Sequence, residues 1–381
     1  MASTAAQRAA AQIVAQLRAA GHQAYFVGGC VRDLLLGREP KDFDVATSAL
    51  PDQVLAMFEK TFAVGAHFGV VLVCTPGEQE IVTEVATFRS DGAYSDGRHP
   101  DAVRFSQSPQ EDVQRRDFTI NGMMLDPENG EVLDLVGGVN DLRAGLIRAI
   151  GDPSERFTED KLRMLRGVRF AARFSFNLEP ATARAIQQLA PAVHQVSRER
   201  VREELTRMLT EGHARRAFEL LDSHGLLAQV LPEVVKMKGV AQPPQYHPEG
   251  DVWVHTLLLL EGLPAGCSVA LAWAALLHDV GKPATFRIAP DRIRFDGHVD
   301  VGVRLAEEIC RRLRFPNHET DQILLLIANH MRFADVQKMK ESTLKRFFRL
   351  PDFDQHLALH RLDCLASHGS LDLYDFARRR F

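Results

Sequence analysis

Cysteine is scarce and unpatterned in this 381-residue chain, where Cys30, Cys74, Cys267, Cys310 and Cys364 form no C-x-x-C. Scattered thiols of this kind fit a reducing compartment and argue against a disulfide scaffold or a zinc ribbon. Long apolar runs are missing too. The strongest, "VALAWAALL" at 269–277, is far shorter than the roughly 20 residues a membrane-spanning helix needs, and it reads as a buried helix. The N-terminal "MASTAAQRAAAQIVAQLRAAGHQ" lacks an apolar h-region, and its Ile13, Val14 and Leu17 fall on one helical face. That pattern does not describe a signal peptide, so a cytoplasmic protein without membrane contact is expected. Repeats and low-complexity tracts are absent. With 45% hydrophobic and 25% charged residues, the chain has the composition of an ordinary globular protein of roughly two to four domains. A strong positive excess is also lacking, since the formal net charge is -4. Charge is nevertheless uneven: residues 155–216 carry 13 Lys or Arg against 8 Asp or Glu, a balance of +5, and "RRF" ends the chain. Such a segment suits a phosphate-rich partner or, equally, a solvated helical face.

From residue 1 to about 150 the pattern alternates. A helix precedes the strand "AYFVGG", a second helix precedes "DFDVA", and "GVVLVCT" and "EIVTEVATF" flank "PGEQ" as a hairpin-like pair. These elements predict an α+β head on a mixed sheet. From Pro153 onward helix-period spacing takes over, as in "KLRMLRGVRFAARF" with Leu162, Leu165, Val168 and Phe170 near one stripe, so the remainder is expected to be all-helical. The Pro- and Gly-rich "GVAQPPQYHPEGD" at 239–251 marks a boundary. The expected division is a head over 1–150, a helical neck and body over 151–240, and a last helical domain over 241–381.

The stretch "GGCVRDLLLGREPKDFDVATSA" at 28–49 joins two features that are unremarkable apart. On a strand, Asp42 and Asp44 flank Phe43 and project from one side. Two carboxylates so placed can hold one or two Mg²⁺ ions that keep open positions for phosphate oxygens. Gly28 and Gly29 let the backbone approach a triphosphate at a helix start, and Arg32 adds a charged fork. Alone, D-x-D is a common surface pair and G-G a turn. Within 17 residues, the pair describes nucleotidyl transfer, with glycines for the triphosphate and carboxylates for the metals. Glu84, in "TEVATF", is either a third carboxylate or a solvent-facing strand residue.

These residues resemble the class II tRNA nucleotidyltransferase and bacterial poly(A) polymerase family of the polymerase-β superfamily. The resemblance runs from about residue 22 to about 235. It includes "RRDFTINGMMLD" at 115–126, "DLVGGVNDLRAGLIRAIGDP" at 134–153, "EDKLRMLRGVRFAARF" at 159–174 and "SRERVREEL" at 197–205. It implies a polymerase-β-like head and template-independent addition of nucleotides to an RNA 3′ end. By the family pattern Asp42 and Asp44 are metal ligands, Arg116 and Asp117 contact phosphate and the ribose hydroxyl, and Asn121 supports that loop. Without the other motifs, "RRDF" would read as a charge cluster at a helix start.

In "EDKLR", Asp160 and Arg163 are three residues apart and on a helix would share a face. A carboxylate accepting from an exocyclic amine, beside a guanidinium donating to a ring nitrogen, matches cytosine and adenine; uracil and guanine present the reverse order. Glu159 is expected to orient the arginine, and the resemblance points to the same triplet. An i,i+3 salt bridge is the structural alternative. The polar "ATFRSDGAYSDGRHPDAVRF" at 86–105 resembles the loop retained by members that add the final A and lacking in CC-only members. The stretch "VGAHFGVVLV" shows no basic signature of the poly(A) polymerases. CCA addition to tRNA from CTP and ATP is therefore expected first, with A-only addition beside a CC-adding partner second and poly(A) synthesis third.

The last third holds His255 in "WVHTLLL", His278 and Asp279 in "ALLHDVGKP", His298 in "DGHVDVG", His330 in "IANHMRF" and Asp363 in "HRLDCLASHG". Imidazoles and carboxylates on separate apolar helices suit a divalent metal site. The order resembles the HD phosphohydrolase superfamily, whose H…HD…D pattern maps onto His255, His278, Asp279 and Asp363, with His298 and His330 matching additional ligands of some members. A second type of divalent metal is implied here, and with it phosphodiesterase or phosphatase action on RNA ends, 2′,3′-cyclic phosphates included. An inert HD domain kept for tRNA docking is the rival. His194, His213, His224 and His360 are expected to be core histidines. Two departures stand out. Gly122 replaces the family's usual Ala, and members commonly continue past "YDFARRRF" into a helical tail, so weaker RNA affinity is expected. Two readings from other classes, an HD hydrolase whose front half only binds nucleotides and an RNA-binding protein without chemistry, each call for disrupted ligands that are intact here.

Overall fold

The computed structural model describes residues 4–65, 68–76, 80–92 and 103–381. Its described residues divide into two compact units, one running to Arg163 together with Phe176–Ile186, the other holding Met164–Ser175 and Gln187–Phe381.

The first unit opens with helix Ala5–Ala19, whose N-cap Thr4 accepts from the Gln7 backbone N–H at 3.1 Å. Ile13, Val14 and Leu17 are buried along it, the face its spacing requires. Nine strands follow: β1 Ala24–Val27, β2 Asp44–Thr47, β3 Thr61–Gly65, β4 Val70–Thr75, β5 Ile81–Thr87, β6 Arg89–Asp91, β7 Val103–Phe105, β8 Met123–Leu125 and β9 Val132–Asp134. Seven form one sheet in the order β3-β4-β5-β2-β1-β8-β9. β1 is antiparallel to both β2 and β8, whereas β2 and β5 run parallel. The sheet is therefore mixed, as the alternating pattern predicts. β4 and β5 pair antiparallel from Val70↔Ala86 to Thr75↔Ile81, the expected hairpin, although residues 77–79 of its "PGEQ" connection lie outside the described residues. Along β5, Thr83, Val85 and Thr87 are buried while Val82 and Glu84 face outward, the period-2 alternation of a strand covered on one side. Val27, Ala46, Phe88, Val113 and Met124 pack together against the sheet. β6 and β7 pair at the base of the segment expected as a loop; its residues 93–102, and Ala66 and His67 of "VGAHFGVVLV", lie outside the described residues.

Helices dominate from Pro153 onward, with Leu162, Leu165, Val168 and Phe170 all buried. The all-helical expectation needs two corrections. β10 (Leu146–Ile147) pairs parallel with β11 (Asn177–Leu178), because Ser175, at φ 57°, breaks the preceding helix and the Asn177 N–H then donates to the Gly145 carbonyl at 2.8 Å. Arg287–Ile288 and Ile293–Arg294 form a small antiparallel pair, closed by the Ala289 N–H donating to the Arg292 carbonyl at 3.0 Å. "VALAWAALL" is a buried helix, Val269–Leu277, capped by Ser268. No helix among the described residues is long and apolar enough to cross a membrane.

Candidate functional sites

In the first unit β1 ends at Val27, and Gly28, at φ 75°, turns the chain into helix Gly29–Leu35. That backbone conformation favours glycine over any side chain. A Cβ on Gly29 would stand 3.4 Å from Arg32 Nη2, and one on Gly28 would stand 3.6 Å from Arg116 Nη1, so both glycines border guanidinium groups. Arg32 is buried. Its Nη1 donates to Asn121 Oδ1 at 2.6 Å and its Nε to Asp33 Oδ1 at 2.9 Å. Asn121 Nδ2 in turn donates to Asp117 Oδ1 at 3.1 Å, which also accepts from the Phe118 N–H at 2.8 Å. Arg32, Asn121 and Asp117 thus form one chain of bonds, and Arg32 braces the loop as well as bordering the glycines.

Asp44 opens β2 opposite Val27. Asp42 lies exposed in the two residues before the strand begins, which corrects the expectation that both aspartates sit on it; the pairing starts only at Asp44. Glu84 precedes Val85, the partner of Val45 in the parallel β2–β5 pair, and so comes beside Asp44. Burial pushes the Asp44 carboxyl up, Glu84 and Asp42 add to the push, Arg116 opposes it, and the outcome is about 6. Like charges gathered this way are what a divalent cation relieves, and the all-oxygen donor set suits a hard one.

Asp112 was not singled out in the sequence. It is fully buried and accepts from both arginines of "RRDF": Arg115 Nη2 donates to Oδ1 at 2.7 Å and Arg116 Nη2 to Oδ2 at 2.8 Å. Burial works against its charge, but the two guanidiniums win and hold the carboxyl below its ordinary range. Its i,i+3 and i,i+4 spacing in "EDVQRR" was the available signal.

The "EDKLR" motif departs from expectation. Helix Pro153–Glu159 stops at Asp160, which is extended at φ -139° and ψ 104°. The next helix, Leu162–Phe174, starts under the Asp160 side chain, whose Oδ1 accepts from the Leu162 N–H at 3.1 Å. Asp160 and Arg163 therefore straddle a helix break instead of lying on one helix. Glu159 does orient the arginine, accepting from Arg163 Nη1 at 2.6 Å. Arg163 Nη2 donates to the Arg115 carbonyl at 3.0 Å, which ties this motif to "RRDF".

In the second unit His255 lies on helix Val252–Glu261, His278 and Asp279 follow helix Val269–Leu277, and His298 begins helix His298–Arg312. His330 ends helix Asn317–Asn329, and Asp363 lies on helix Phe353–Ala366. Each imidazole has an acceptor at Nδ1: Glu249 Oε1 for His255 at 2.7 Å, and the carbonyls of Ala275, Phe295 and Ile327 for His278, His298 and His330 at 3.0, 2.9 and 2.7 Å. In a neutral imidazole these acceptors place the proton on Nδ1 and leave Nε2 as the lone pair a metal would take. His255 Nε2 stands 3.3 Å from His278 Nε2 and 3.1 Å from Asp363 Oδ1. Asp279 faces both sides: Oδ2 lies 3.2 Å from His278 Nε2, and Oδ1 lies 3.7 and 3.9 Å from the Nε2 atoms of His298 and His330. Two ligand groups, His255–His278–Asp279 and Asp279–His298–His330, thus share one carboxylate. The Nε2 atoms of His298 and His330 are buried without a hydrogen-bond partner, the state of lone pairs awaiting a metal.

Burial pushes His330 down to about 4, and burial lowers His298 too. Burial also opposes charge on Asp279, yet His278 and Lys282 hold it far below the usual carboxylate range. Lys282 Nζ donates to Asp279 Oδ2 at 2.6 Å and to Gln242 Oε1 at 2.7 Å. Gln242 is remote in sequence from Lys282, so no local spacing points to it, whereas Lys282 stands at i,i+3 from Asp279, a signal the sequence did carry. Gly281 has no room for a side chain: a Cβ would lie 2.1 Å from the His298 carbonyl oxygen. Over the cluster opens a cleft of about 680 Å³ bordered by His247, Asp279, Lys282, His298, His330 and Asp363. Of the four expected core histidines only His360 is buried, stacked on Phe333 at 4.3 Å. His194 and His213 are exposed, and His224 caps a helix half-buried.

A mixed-sheet head with clustered carboxylates, followed by a helical body and a histidine-rich centre, defines a polymerase-β-like head joined to an HD domain. Family models match in the same order: the poly A polymerase head domain over residues 24–148, the probable RNA and SrmB-binding site of polymerase A over 175–237, and the HD domain over 253–354. The CCA-adding enzyme of Lactobacillus helveticus is 42% identical over 255 residues, and that of Geobacillus stearothermophilus 47% over 216, covering 65% and 57% of this chain. The aligned stretches span only 62% and 52% of those relatives' own lengths. The solved CCA-adding enzyme of Bacillus stearothermophilus in complex with CTP aligns with 99% of this chain and 82% of its own, at 31% identity and a TM-score of 0.74. The chain belongs to the family of class II tRNA nucleotidyltransferases and bacterial poly(A) polymerases. Its nucleotidyltransferase and HD domains imply dependence on divalent metal.

Proposed function

We propose that the chain adds C and A nucleotides to tRNA 3′ ends without a nucleic-acid template, completing CCA from CTP and ATP. The observation that carries this reading is the Asp42–Asp44–Glu84 cluster facing Arg116, in the same unit as Glu159, Asp160 and Arg163. Mg²⁺ at Asp42 and Asp44 would activate the RNA 3′-hydroxyl and steady the leaving pyrophosphate. The backbone at Gly28 and Gly29 admits the triphosphate, Arg32 and Arg116 draw it in, and Asp117, fixed by Asn121, orients the ribose. Asp160 accepts from the exocyclic amine of C or A, while Arg163, held by Glu159, donates to the ring nitrogen. The CTP bound to the Bacillus stearothermophilus enzyme and the names of the curated relatives support this choice.

Functionally the chain is read as a catalytic head over 1–150, a base-selecting and tRNA-binding neck and body over 151–240, and an HD domain over 241–381. Five unpaired cysteines suit a cytoplasmic location. The partnerless Nε2 atoms of His298 and His330 favour a second activity, metal-dependent phosphohydrolysis of RNA 3′ ends, with His255, His278, Asp279, His298, His330 and Asp363 as ligands. The test of the main activity is incorporation with Mg²⁺ on tRNA transcripts ending before CCA, after C and after CC. Growth of the shortest transcript to CCA and then a stop is expected. A single A added only to the CC transcript would make the protein an A-adding enzyme, and long A tails a poly(A) polymerase.

A further inference from the structure

The segment 239–251, which reads in sequence as a boundary, lies between the matched regions 175–237 and 253–354, yet it supplies a wall of the histidine-rich centre. Glu249 is its key residue. The side chain is only 8% exposed, and its Oε1 accepts from two imidazoles, His255 Nδ1 at 2.7 Å and His247 Nδ1 at 2.9 Å, whose rings meet edge to face at 4.9 Å. Gln242, seven residues earlier in the same segment, holds Lys282 and through it Asp279 Oδ2.

We infer that Glu249 is the positioning residue of the metal centre, and that metal binding at the HD cluster fixes the 239–251 segment in place. The inference rests on the reading of His255, His278 and Asp279 as metal ligands. Its chemistry is that of a carboxylate behind a ligating imidazole. By taking the Nδ1 proton of His255, Glu249 forces the lone pair onto Nε2, the atom that faces His278 and Asp363. It also fixes the plane of the ring and raises its basicity toward a cation. His247, held by the same oxygen and bordering the cleft, receives the same tautomer and presents Nε2 as its remaining ring nitrogen. Three of the four imidazoles of the cluster rely on the backbone carbonyl three residues earlier. His255 alone depends on a side chain from another segment, so its orientation and the order of that segment rise and fall together.

The test uses the full chain in an Asp42→Ala/Asp44→Ala background, so that the head adds no metal signal, and Mn²⁺ as the probe. Glu249→Ala is expected to weaken Mn²⁺ binding about 10- to 100-fold, with Glu249→Gln falling between it and the parent. With diamagnetic Zn²⁺ in the centre, ¹⁵N NMR of the parent should show His255 protonated at Nδ1, and Mn²⁺ should slow chymotryptic cleavage after Tyr246, which is 52% exposed. In Glu249→Gln, an isosteric replacement that preserves the packing, that metal protection should shrink. Unchanged Mn²⁺ affinity in both Glu249 variants, while His255→Ala loses it, would overturn the inference and leave the metal-centre reading intact. Full Mn²⁺ affinity in His255→Ala would overturn both. His255 protonated at Nε2 would overturn the positioning role outright.

Discussion

On the proposed reading the head carboxylates and the HD cluster hold the same class of ion in opposite ways. Asp42 is exposed and Asp44 half-buried, and like charges push Asp44 up to about 6. Asp279 is 2% exposed and faces four imidazoles, with Lys282 on one oxygen. In the head the rigid parts are the cations, since Arg115 and Arg116 are locked onto buried Asp112 and Arg32 onto Asn121. In the HD centre the rigid parts are the ligands, each Nδ1 being tied to an acceptor. If, as proposed, the head admits a fresh metal-bound triphosphate at every addition, it needs a firm anion cradle and loosely held carboxylates. A site that keeps its metal needs the reverse.

The contrast can be broken most severely at Asp44. Asp44→Ala should lower nucleotide incorporation by about a thousandfold or more, the several kcal/mol a metal-stabilised transfer is worth, while the metal content of the HD centre stays unchanged. Asp112→Asn attacks the other element of the head. It should destabilise the protein by about 3–5 kcal/mol in urea unfolding, because two guanidiniums lose the charge of a fully buried partner, and the KM for CTP should rise. A smaller effect is expected at Gly122, where a Cβ would stand 2.8 Å from Val136 Cγ2 and 2.9 Å from Ile150 Cδ1. Branched neighbours occupy the space of the family's usual alanine, so Gly122→Ala should cost about 1–3 kcal/mol in the same assay. The mildest test concerns His356 and His360, which burial pushes down to about 4. Their unfolded forms take up protons first as pH falls. Stability should therefore decline between about 6.5 and 4 from these two groups and level off below. His356→Leu should flatten that decline in thermal melts from pH 7 to pH 4.

Sequence carried what repeats along the chain. The stripe of Ile13, Val14 and Leu17, the β4–β5 hairpin and the mixed sheet follow from periodicity, and the histidine set follows from the order of motifs. It hid what depends on where an element stops. Asp160 looks helical by spacing, but its side chain caps Leu162 and breaks the helix. Asp42 looks like a strand residue, but the pairing begins at Asp44. It also hid partnerships across sequence distance. Lys282 meets Gln242 across 40 positions, and Arg32 meets Asn121 across 89; no local spacing encodes either. Asp112 was within reach, since its helical spacing to Arg115 and Arg116 is local. His194 and His213 show the opposite error, in which residue type suggested burial that an exposed place in a 3-10 helix and at a helix N-cap denies.

The most direct test of the contrast is the metal retained by the 381-residue chain after desalting, compared among the parent, Asp44→Ala and Asp279→Ala. The account predicts tightly held metal in the parent, undiminished in Asp44→Ala and lost in Asp279→Ala. Retention in Asp279→Ala, or equal loss in both variants, would contradict it.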